Sequence, residues 1–157
     1  MNRFLVIAAG NRQPEWVDAG FDEYAKRLRG SYALELVEIS LGRRSRSNAS
    51  AKALNDEGRR MLKALPASAH VVALGVTGRP WSTADLAKQL RRWERESGPV
   101  CLLIGGPDGL APECEARADE TWSLSSLTLP HGLVRIVVAE ALYRAWSVLQ
   151  GHPYHRA

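Results

Sequence analysis

Apolar and polar positions change period along this chain, and the change predicts a layered α/β fold. Short apolar runs, typical of buried strands, alternate with longer stretches in which apolar residues return every three or four positions, as they do in helices. Strands that alternate with helices in this way form a mainly parallel sheet with flanking helices. The predicted strands are residues 3–9, 33–39, 70–75, 100–104 and 121–124.

Three of the predicted helices are amphipathic, so each should pack one apolar stripe on the sheet. The first covers residues 14–28, the second begins at Asn48 and the third begins at Ser82. Asp85 follows Ser82 by three residues, which is the spacing of a capping box. The stripes consist of Trp16, Gly20, Tyr24 and Leu28 in the first helix, of Ala51, Leu54, Gly58, Met61 and Leu65 in the second, and of Leu86, Leu90 and Trp93 in the third.

The last predicted helix, 133–149, carries apolar residues around most of its circumference. These residues are Leu133, Val134, Ile136, Val137, Val138, Leu142, Trp146 and Leu149. One face of a small sheet cannot cover such a helix, so we expect it to form the interface of a homodimer. The alternative is a central helix that its own chain surrounds.

Length and composition suit one domain that spans residues 1–157, because the chain has 157 residues and is 45% hydrophobic. The net charge of +4 is compatible with a polyanionic partner but does not require one. Cys101 and Cys114 are too few for a disulfide framework and indicate cytoplasmic thiols. Since no apolar segment approaches the roughly 18 residues that span a bilayer, we expect a cytoplasmic protein without membrane contact.

Three loops follow predicted strands and are rich in glycine or in small apolar residues. They cover residues 74–80, 105–109 and 123–131. Ligands of open parallel sheets bind beyond the carboxyl ends of the strands. Glycine lets the backbone approach a ligand closely, and apolar side chains can enclose a flat ring. We therefore predict that the three loops form one pocket; the alternative is a tight turn at 105–107 and a buried connection at 124–129.

Common nucleotide and metal motifs are absent from the sequence, which contains no GxGxxG, no GxxxxGK[ST] and no HExxH. His152 and His155 are spaced like a metal-binding pair, but no cysteine or acidic residue accompanies them, so we expect no metal. The tail 151–156 carries groups that stack on bases, transfer protons and contact phosphate. A frayed terminus is the alternative interpretation of this tail.

Four motifs resemble the RlmH-type methyltransferases of the SPOUT superfamily. They are LLIGGPDGL at 102–110, WSLSSLTLPH at 122–131, AEALYRAWS at 139–147 and HPYHR at 152–156. The motifs occur in the order found in that family. The resemblance extends over essentially the whole chain, including PEW at 14–16 and GRR at 42–44.

This resemblance implies a SPOUT-type fold with a C-terminal trefoil knot, although protein chains are in general unknotted. It also implies a homodimer that methylates N3 of a pseudouridine in the large-subunit (23S) ribosomal RNA, with the assembled ribosome as substrate and S-adenosylmethionine as methyl donor. The cofactor-binding residues that it implies belong to the three loops described above. They are Leu74, Gly105, Leu124, Ser125, Ser126, Leu127, Thr128 and Leu129.

Methylation of N3 requires that its proton leave, whereas a methyl group on a sulfonium needs no metal for activation. We expect Tyr154, His155, Arg144 and Glu140 to carry the catalysis, with His131 as a further candidate base. An arginine, Arg144 or Arg156, could instead stabilise the developing anion, and the sequence leaves these roles open. Glu140 and Arg144 also have the i,i+4 spacing of an ordinary helical ion pair.

The segment with Arg43, Arg44 and Arg46 is suited to contact RNA phosphates, and a solvated loop is the equal alternative. Two rival functions remain at this point. One is a ribosome-assembly factor that binds RNA without catalysis, and the other is a general α/β enzyme acting on small molecules or nucleotides. Binding of S-adenosylmethionine would separate the methyltransferase from the assembly factor.

Overall fold

The computed structural model describes residues 4–42 and 50–154, whose five strands form one sheet. A single 3-10 turn at Gly30–Tyr32 precedes the second strand. The strands are β1 (Phe4–Ala9), β2 (Leu34–Ile39), β3 (His70–Arg79), β4 (Val100–Ile104) and β5 (Glu120–Trp122), and the helices are α1 (Glu15–Ala25), α2 (Ser50–Lys63), α3 (Thr83–Trp93), α4 (Pro112–Arg117) and α5 (His131–Leu149).

All neighbouring strands are parallel and follow the order β2-β1-β4-β3-β5. The central strands β1 and β4 are buried at every position, which explains their continuous apolar runs. Alternate residues serve the two faces: Phe4 and Val6 pack with α1, α3 and α5, whereas Leu5 and Ile7 pack with α2 and α4. The result is the predicted α/β fold, in which helices cover both faces of a parallel sheet.

The five predicted strands are confirmed, with shifts at their ends. β3 is longer than expected, because its pairing with β5 is interrupted between Leu74 and Arg79 and then resumes. β5 is shorter and ends at Trp122. Beyond β5 the chain leaves the sheet and runs as an irregular segment to α5.

The predicted apolar stripe of α1 is wrong at Trp16, whose side chain is 58% exposed. The buried positions are instead Val17 and Phe21, one residue further along the helix, followed by Leu28 beyond its end. Gly20 does face a neighbour, since a Cβ atom there would lie 2.6 Å from Ile136 Cδ1. The glycine thus lets α1 approach α5 closely, while Trp16 turns outward.

The second stripe also needs correction. The predicted Met61 is buried, but Ala51 is exposed and the buried alanine is instead Ala53. The predicted start at Asn48 lies outside the described residues. Gly58 faces the unpredicted helix α4, where an added Cβ would lie 2.5 Å from Ala111 Cβ.

The third helix follows its prediction. Ser82 accepts a hydrogen bond from the Asp85 backbone N–H at 3.0 Å, and Asp85 in turn accepts one from the Ser82 backbone N–H at 3.1 Å. The hydrogen bonds from Ser82 hold the pKa of Asp85 below its ordinary value. The predicted apolar positions Leu86, Leu90 and Trp93 are all buried. The capping box therefore sets the start of α3 and the register of its buried face.

Helix α5 crosses the sheet between α1 and α3 and contacts both. None of its residues is fully exposed, so its own chain covers much of its apolar surface. A half-buried line remains along the helix at positions 133, 137, 141, 144 and 148. The homodimer interface and the trefoil knot both stay predictions. Among the described residues, no helix is long and apolar enough to cross a membrane.

A polar cluster at the amino ends of β3 and β5 fastens the edge strand to α3. His70 Nε2 lies 2.5 Å from Glu120 Oε2, and Trp93 Nε1 donates to the same oxygen at 2.9 Å. Arg92 pairs with the second oxygen of Glu120. Burial alone would raise the pKa of Glu120, but the bonds from His70 and Trp93 outweigh it and the pKa lies below its ordinary value.

A carboxyl group whose pKa is lower in the folded than in the unfolded protein stabilises the fold at pH values above its unfolded-state pKa. This stabilisation is lost as the pH falls through its folded-state pKa. We therefore expect Glu120→Gln to lower the free energy of unfolding by about 1–3 kcal/mol at pH 7. The difference from wild type should shrink at pH 3. Urea unfolding at both values tests this, with the exposed Glu35→Gln as control; an equal difference at the two pH values would contradict it.

Candidate active site

A cavity of about 710 Å³ lies beyond the carboxyl end of β4 and beside the interrupted part of β3. Residues 74–77, which were predicted to be a loop, line it from within β3. All three predicted loops line it, together with the first turn of α5. Its walls include Leu74, Gly75, Gly105, Leu124, Leu127 and His131. The convergence of these loops on one cavity is confirmed.

The loop after β4 makes a tight turn that requires glycine at its first position. A Cβ atom on Gly105 would lie 2.3 Å from the carbonyl carbon of Gly109, and Gly109 itself has a positive φ of 81°. Gly109 donates its backbone N–H to the Gly106 carbonyl at 3.0 Å. This close packing leaves backbone groups, rather than side chains, on one wall of the cavity.

The segment between β5 and α5 is shaped by two serines. Ser123 Oγ donates to the Ser125 carbonyl at 3.0 Å, and Ser125 Oγ accepts the Leu127 N–H at 2.9 Å. These bonds turn the chain so that Leu127 is 71% exposed at the cavity, which the exposed Val76 also lines. Exposed apolar groups around a cavity with backbone donors suit a ligand with a flat, polar-edged ring.

His131 is the first residue of α5. It was predicted as a candidate base, and it lies in the cavity wall. Its pKa is below its ordinary value, first because of burial and then because Arg135 stands nearby. A histidine in this setting is neutral at pH 7 and can accept or donate a hydrogen bond. The imidazole therefore adds no positive charge to the cavity.

Arg135, one turn further along α5, is completely buried and was missed by the sequence analysis. Its Nη1 lies 2.6 Å from Glu38 Oε2, and its Nη2 donates to the Gly10 carbonyl at 2.7 Å. Within the described residues, its Nε atom has no hydrogen-bond partner. Arg135 thereby joins α5 to the ends of β1 and β2, and the one available sequence signal was a cation inside an apolar helix.

Three of the predicted catalytic residues meet near the other end of α5. Arg144 Nη2 lies 2.6 Å from Glu140 Oε2, and the Tyr154 hydroxyl donates to the same oxygen at 2.8 Å. The Arg144 guanidinium also lies 5.0 Å from the centre of the Tyr154 ring. The i,i+4 ion pair that the sequence allowed is thus present, with the tail tyrosine added to it.

Burial, followed by the hydrogen bond to Glu140, raises the pKa of Tyr154 to about 12. The phenol is therefore protonated at pH 7 and acts as a donor in this arrangement. Arg144 has a raised pKa because Glu140 accepts its hydrogen bonds. The cluster presents one carboxylate between two donors.

None of Glu140, Arg144 and Tyr154 lines the cavity. Glu140 lies nine positions beyond His131 in α5 and Arg144 lies thirteen positions beyond it, which corresponds to about 14 Å and about 20 Å along the helix axis. Within one chain, the cavity and the cluster are thus two separate places.

The predicted cofactor-binding residues lie on the cavity wall, with Ser126 as the exception. His155 and Arg156 of the tail, and the basic positions Arg43, Arg44 and Arg46, lie outside the described residues. His152 packs its ring near Tyr143 and Trp146. The described part of the chain holds no group of three or more histidine, cysteine or acidic side chains placed for a metal ion.

A parallel α/β sheet with a backbone-lined cavity beyond its strands defines the broad class of α/β ligand-binding domains. Within that class, residues 2–155 match the family model described as "Predicted SPOUT methyltransferase". The chain belongs to the SPOUT methyltransferase family.

Similar proteins carry the name "Ribosomal RNA large subunit methyltransferase H". The protein from Alkalilimnicola ehrlichii is 56% identical over 155 residues, which cover 99% of each chain. The protein from Marinomonas sp. is 53% identical over 154 residues, which cover 98% of this chain and 99% of the relative. Among solved structures, the SpoU methyltransferase AviRb from Streptomyces viridochromogenes, in complex with AdoMet, has a TM-score of 0.48 and 14% identity, and the match covers 91% of this chain and 57% of that chain.

Two cavity glycines should respond differently to the addition of one methyl group. Gly105→Ala places Cβ against the Gly109 backbone and should lower the free energy of unfolding by about 1–3 kcal/mol. Gly75→Ala is the matched control, since its nearest neighbour would be Thr121 Cγ2 at an ordinary 3.7 Å, and should be close to neutral. Urea unfolding measures both, and equal losses would contradict the tight turn at Gly105.

Proposed function

We propose that this chain, as one domain over residues 1–157, transfers a methyl group from S-adenosylmethionine to N3 of a pseudouridine in large-subunit ribosomal RNA. The observation that carries the proposal is the identity of 53–56%, over nearly the full length, to proteins named ribosomal RNA large subunit methyltransferase H. The cavity formed by the three loops supports it with a site of suitable size. We place the reaction on assembled ribosomes in the cytoplasm.

The residues of the cavity fit S-adenosylmethionine. A volume of about 710 Å³ lies within the range of small-molecule sites. Leu124, Leu127 and Leu129 can enclose the adenine ring, and the backbone groups around Gly105 can hydrogen-bond to its edge. Because His131 is neutral at the cavity wall, it does not oppose a positively charged sulfonium.

The bound cofactor would supply an electrophilic methyl group, so the protein must present the uracil ring and remove its N3 proton. Arg144 can stabilise negative charge on that ring, and Glu140 can accept a proton. Tyr154 is suited to donate a hydrogen bond or to stack on the base, because its high pKa keeps the phenol protonated. His131 and His155 remain the histidine candidates for the base.

We further propose a homodimer in which the cluster of one subunit completes the cavity of the other. The separation of about 14–20 Å along α5 keeps the two places apart within one chain. The half-buried line on α5 offers the partner a surface between α1 and α3. A two-fold arrangement of this kind would bring the Glu140–Arg144–Tyr154 cluster to the partner's cofactor.

Filling the cavity should abolish cofactor binding. Gly75→Leu adds a side chain where Cβ has room, so the variant should fold but bind S-adenosylmethionine at least tenfold more weakly than wild type. Isothermal calorimetry provides the measurement, with Gly75→Ala as the matched control. Wild-type protein that binds no S-adenosylmethionine would favour an RNA-binding assembly factor, and unchanged affinity in Gly75→Leu would mean that the cofactor binds elsewhere.

Removing the tail should separate binding from transfer. A chain that ends at Gly151 keeps the core and all three loops, so it should fold and bind S-adenosylmethionine normally. It lacks Tyr154 and His155, so its single-turnover rate on unmethylated ribosomes should fall at least a hundredfold, which is the usual scale of a positioned acid–base group. Mass spectrometry of the ribosomal RNA measures the product.

Mixing experiments test the dimer. Gly75→Leu keeps the tail and loses the cavity, whereas the shortened chain keeps the cavity and loses the tail. Co-expressed and purified as a heterodimer, the two should form one complete site of two and recover about half of the wild-type rate. A heterodimer as inactive as the two parent homodimers would show that each cavity needs the tail of its own chain. If the shortened homodimer kept a rate within threefold of wild type, the tail would be dispensable for methyl transfer.

A further inference from the structure

Arg27 extends from the end of α1 into a group of aromatic rings that includes the tail. Its guanidinium carbon lies 5.3 Å from the ring centre of Tyr24, 5.3 Å from that of Tyr143 and 6.0 Å from that of Tyr154. The three rings belong to α1, α5 and the tail. Arg27 therefore connects three parts of the chain at one point.

Tyr154 lies at the centre of this group. Its ring centre is 4.6 Å from that of Tyr143, and the guanidinium groups of Arg27 and Arg144 both lie within 6.0 Å of it. A cation near the face of an aromatic ring is attracted by the electrons of that face. Arg144 of α5 and Arg27, two residues beyond the end of α1, thus both contact one tail side chain.

Each of these arginines has its own carboxylate. Arg27 Nη2 lies 2.6 Å from Glu23 Oε2, as Arg144 Nη2 lies 2.6 Å from Glu140 Oε2, and both pairs have i,i+4 spacing. The hydrogen bond to Glu23 raises the pKa of Arg27. Glu23 of α1 thus orients Arg27. Glu140 of α5 accepts the hydrogen bonds of Arg144 and Tyr154.

The chain path makes such a connection necessary. After α5, Gly151 adopts a positive φ of 67°, and the His152 N–H donates to the Ser147 carbonyl at 2.9 Å, so the tail turns back over the helix. Only Pro153 then separates His152 from Tyr154. The His152 ring packs near Tyr143 and Trp146, and the contacts of the Tyr154 side chain hold the end of the described tail against Arg27 and α5.

We propose that Arg27 is a positioning residue, which holds the Tyr154 ring so that the tail and the Glu140–Arg144 pair form one preorganised surface for the base. This role rests on the proposed methyl transfer. Lysine should replace Arg27 only in part, since an ammonium group can pair with Glu23 but lacks the flat guanidinium that spans several rings. Arg27 itself does not touch the reacting atoms in this proposal.

The test uses the full-length protein and single-turnover methylation of unmethylated ribosomes at saturating S-adenosylmethionine. Arg27→Gln should reduce the rate by roughly three- to tenfold, as expected for the loss of a few cation–ring contacts, and Arg27→Lys should lie between it and wild type. Cofactor affinity should stay within twofold. Lys26→Gln is the matched control, because Lys26 loses the same charge and also contacts Glu23, at 3.4 Å, and it should retain the wild-type rate.

A double-mutant cycle separates positioning from other effects. If Arg27 acts through Tyr154, then Arg27→Gln should have no further effect in a Tyr154→Leu protein. An undiminished effect in that background would overturn the proposal, as would a wild-type rate in Arg27→Gln. A higher ribosome concentration for half-maximal rate with no change in the maximal rate would instead make Arg27 a phosphate contact.

A second readout does not depend on methylation. Carboxypeptidase Y removes residues from the carboxyl end, and mass spectrometry follows its progress. Release of Tyr154 should be at least threefold faster in Arg27→Gln than in wild type and Lys26→Gln, with unchanged thermal unfolding midpoints. Equal release of Tyr154 in all three proteins would overturn the positioning role of Arg27. A wild-type protein without methyltransferase activity would refute the proposed function but would leave this test of Arg27 intact.

Discussion

The burial of α5 is the constraint on which the rest of this structure depends. The helix packs on the sheet and is flanked by α1 and α3, so it cannot bend or slide without disturbing three neighbours. Its 19 residues form a rod about 28 Å long. The amino end contributes to the cavity, and the carboxyl end carries the cluster of charged and aromatic groups. The cavity and the cluster therefore lie at the two ends of one rigid element.

Charged groups are placed along this rod in ways that serve each end. Near the cavity, the buried Arg135 is neutralised by Glu38, and its position helps to keep His131 uncharged. Toward the tail, the carboxylate of Glu140 accepts from both Arg144 and Tyr154. The first arrangement avoids positive charge next to a cationic ligand. The second places two donors and an acceptor together, and under the proposed function the base would bind beside them.

Much of this arrangement could be predicted from local patterns. The central strands are short apolar runs, and the start of α3 depends on Ser82 and Asp85, which are three residues apart. Two of the cavity loops could be located because each follows a strand of a parallel sheet, whereas residues 74–79 belong to β3 itself. For a site of this type, the order of elements along the chain therefore indicates which loops will meet.

Features that depend on distant partners could not be predicted. Arg135 pairs with Glu38, which is 97 positions away, and Arg27 meets a tail more than a hundred residues later. The short helix α4 is held by the close contact at Gly58 rather than by any periodicity of its own. Trp16 was assigned to the wrong stripe because a choice between adjacent helical positions depends on the direction from which α5 approaches. The trefoil knot is expected from the family resemblance alone, and the dimer from that resemblance together with the half-buried line of α5.

The length of α5 also limits how the sequence can change over evolutionary time. One inserted or deleted residue would rotate everything beyond it by about 100° and move it by about 1.5 Å along the axis. A loop could absorb such a change, but α5 could not, because it packs against α1, α3 and the sheet. Insertions and deletions should therefore be confined to segments outside α5. The number of residues between His131 and the tail should accordingly stay constant during evolution.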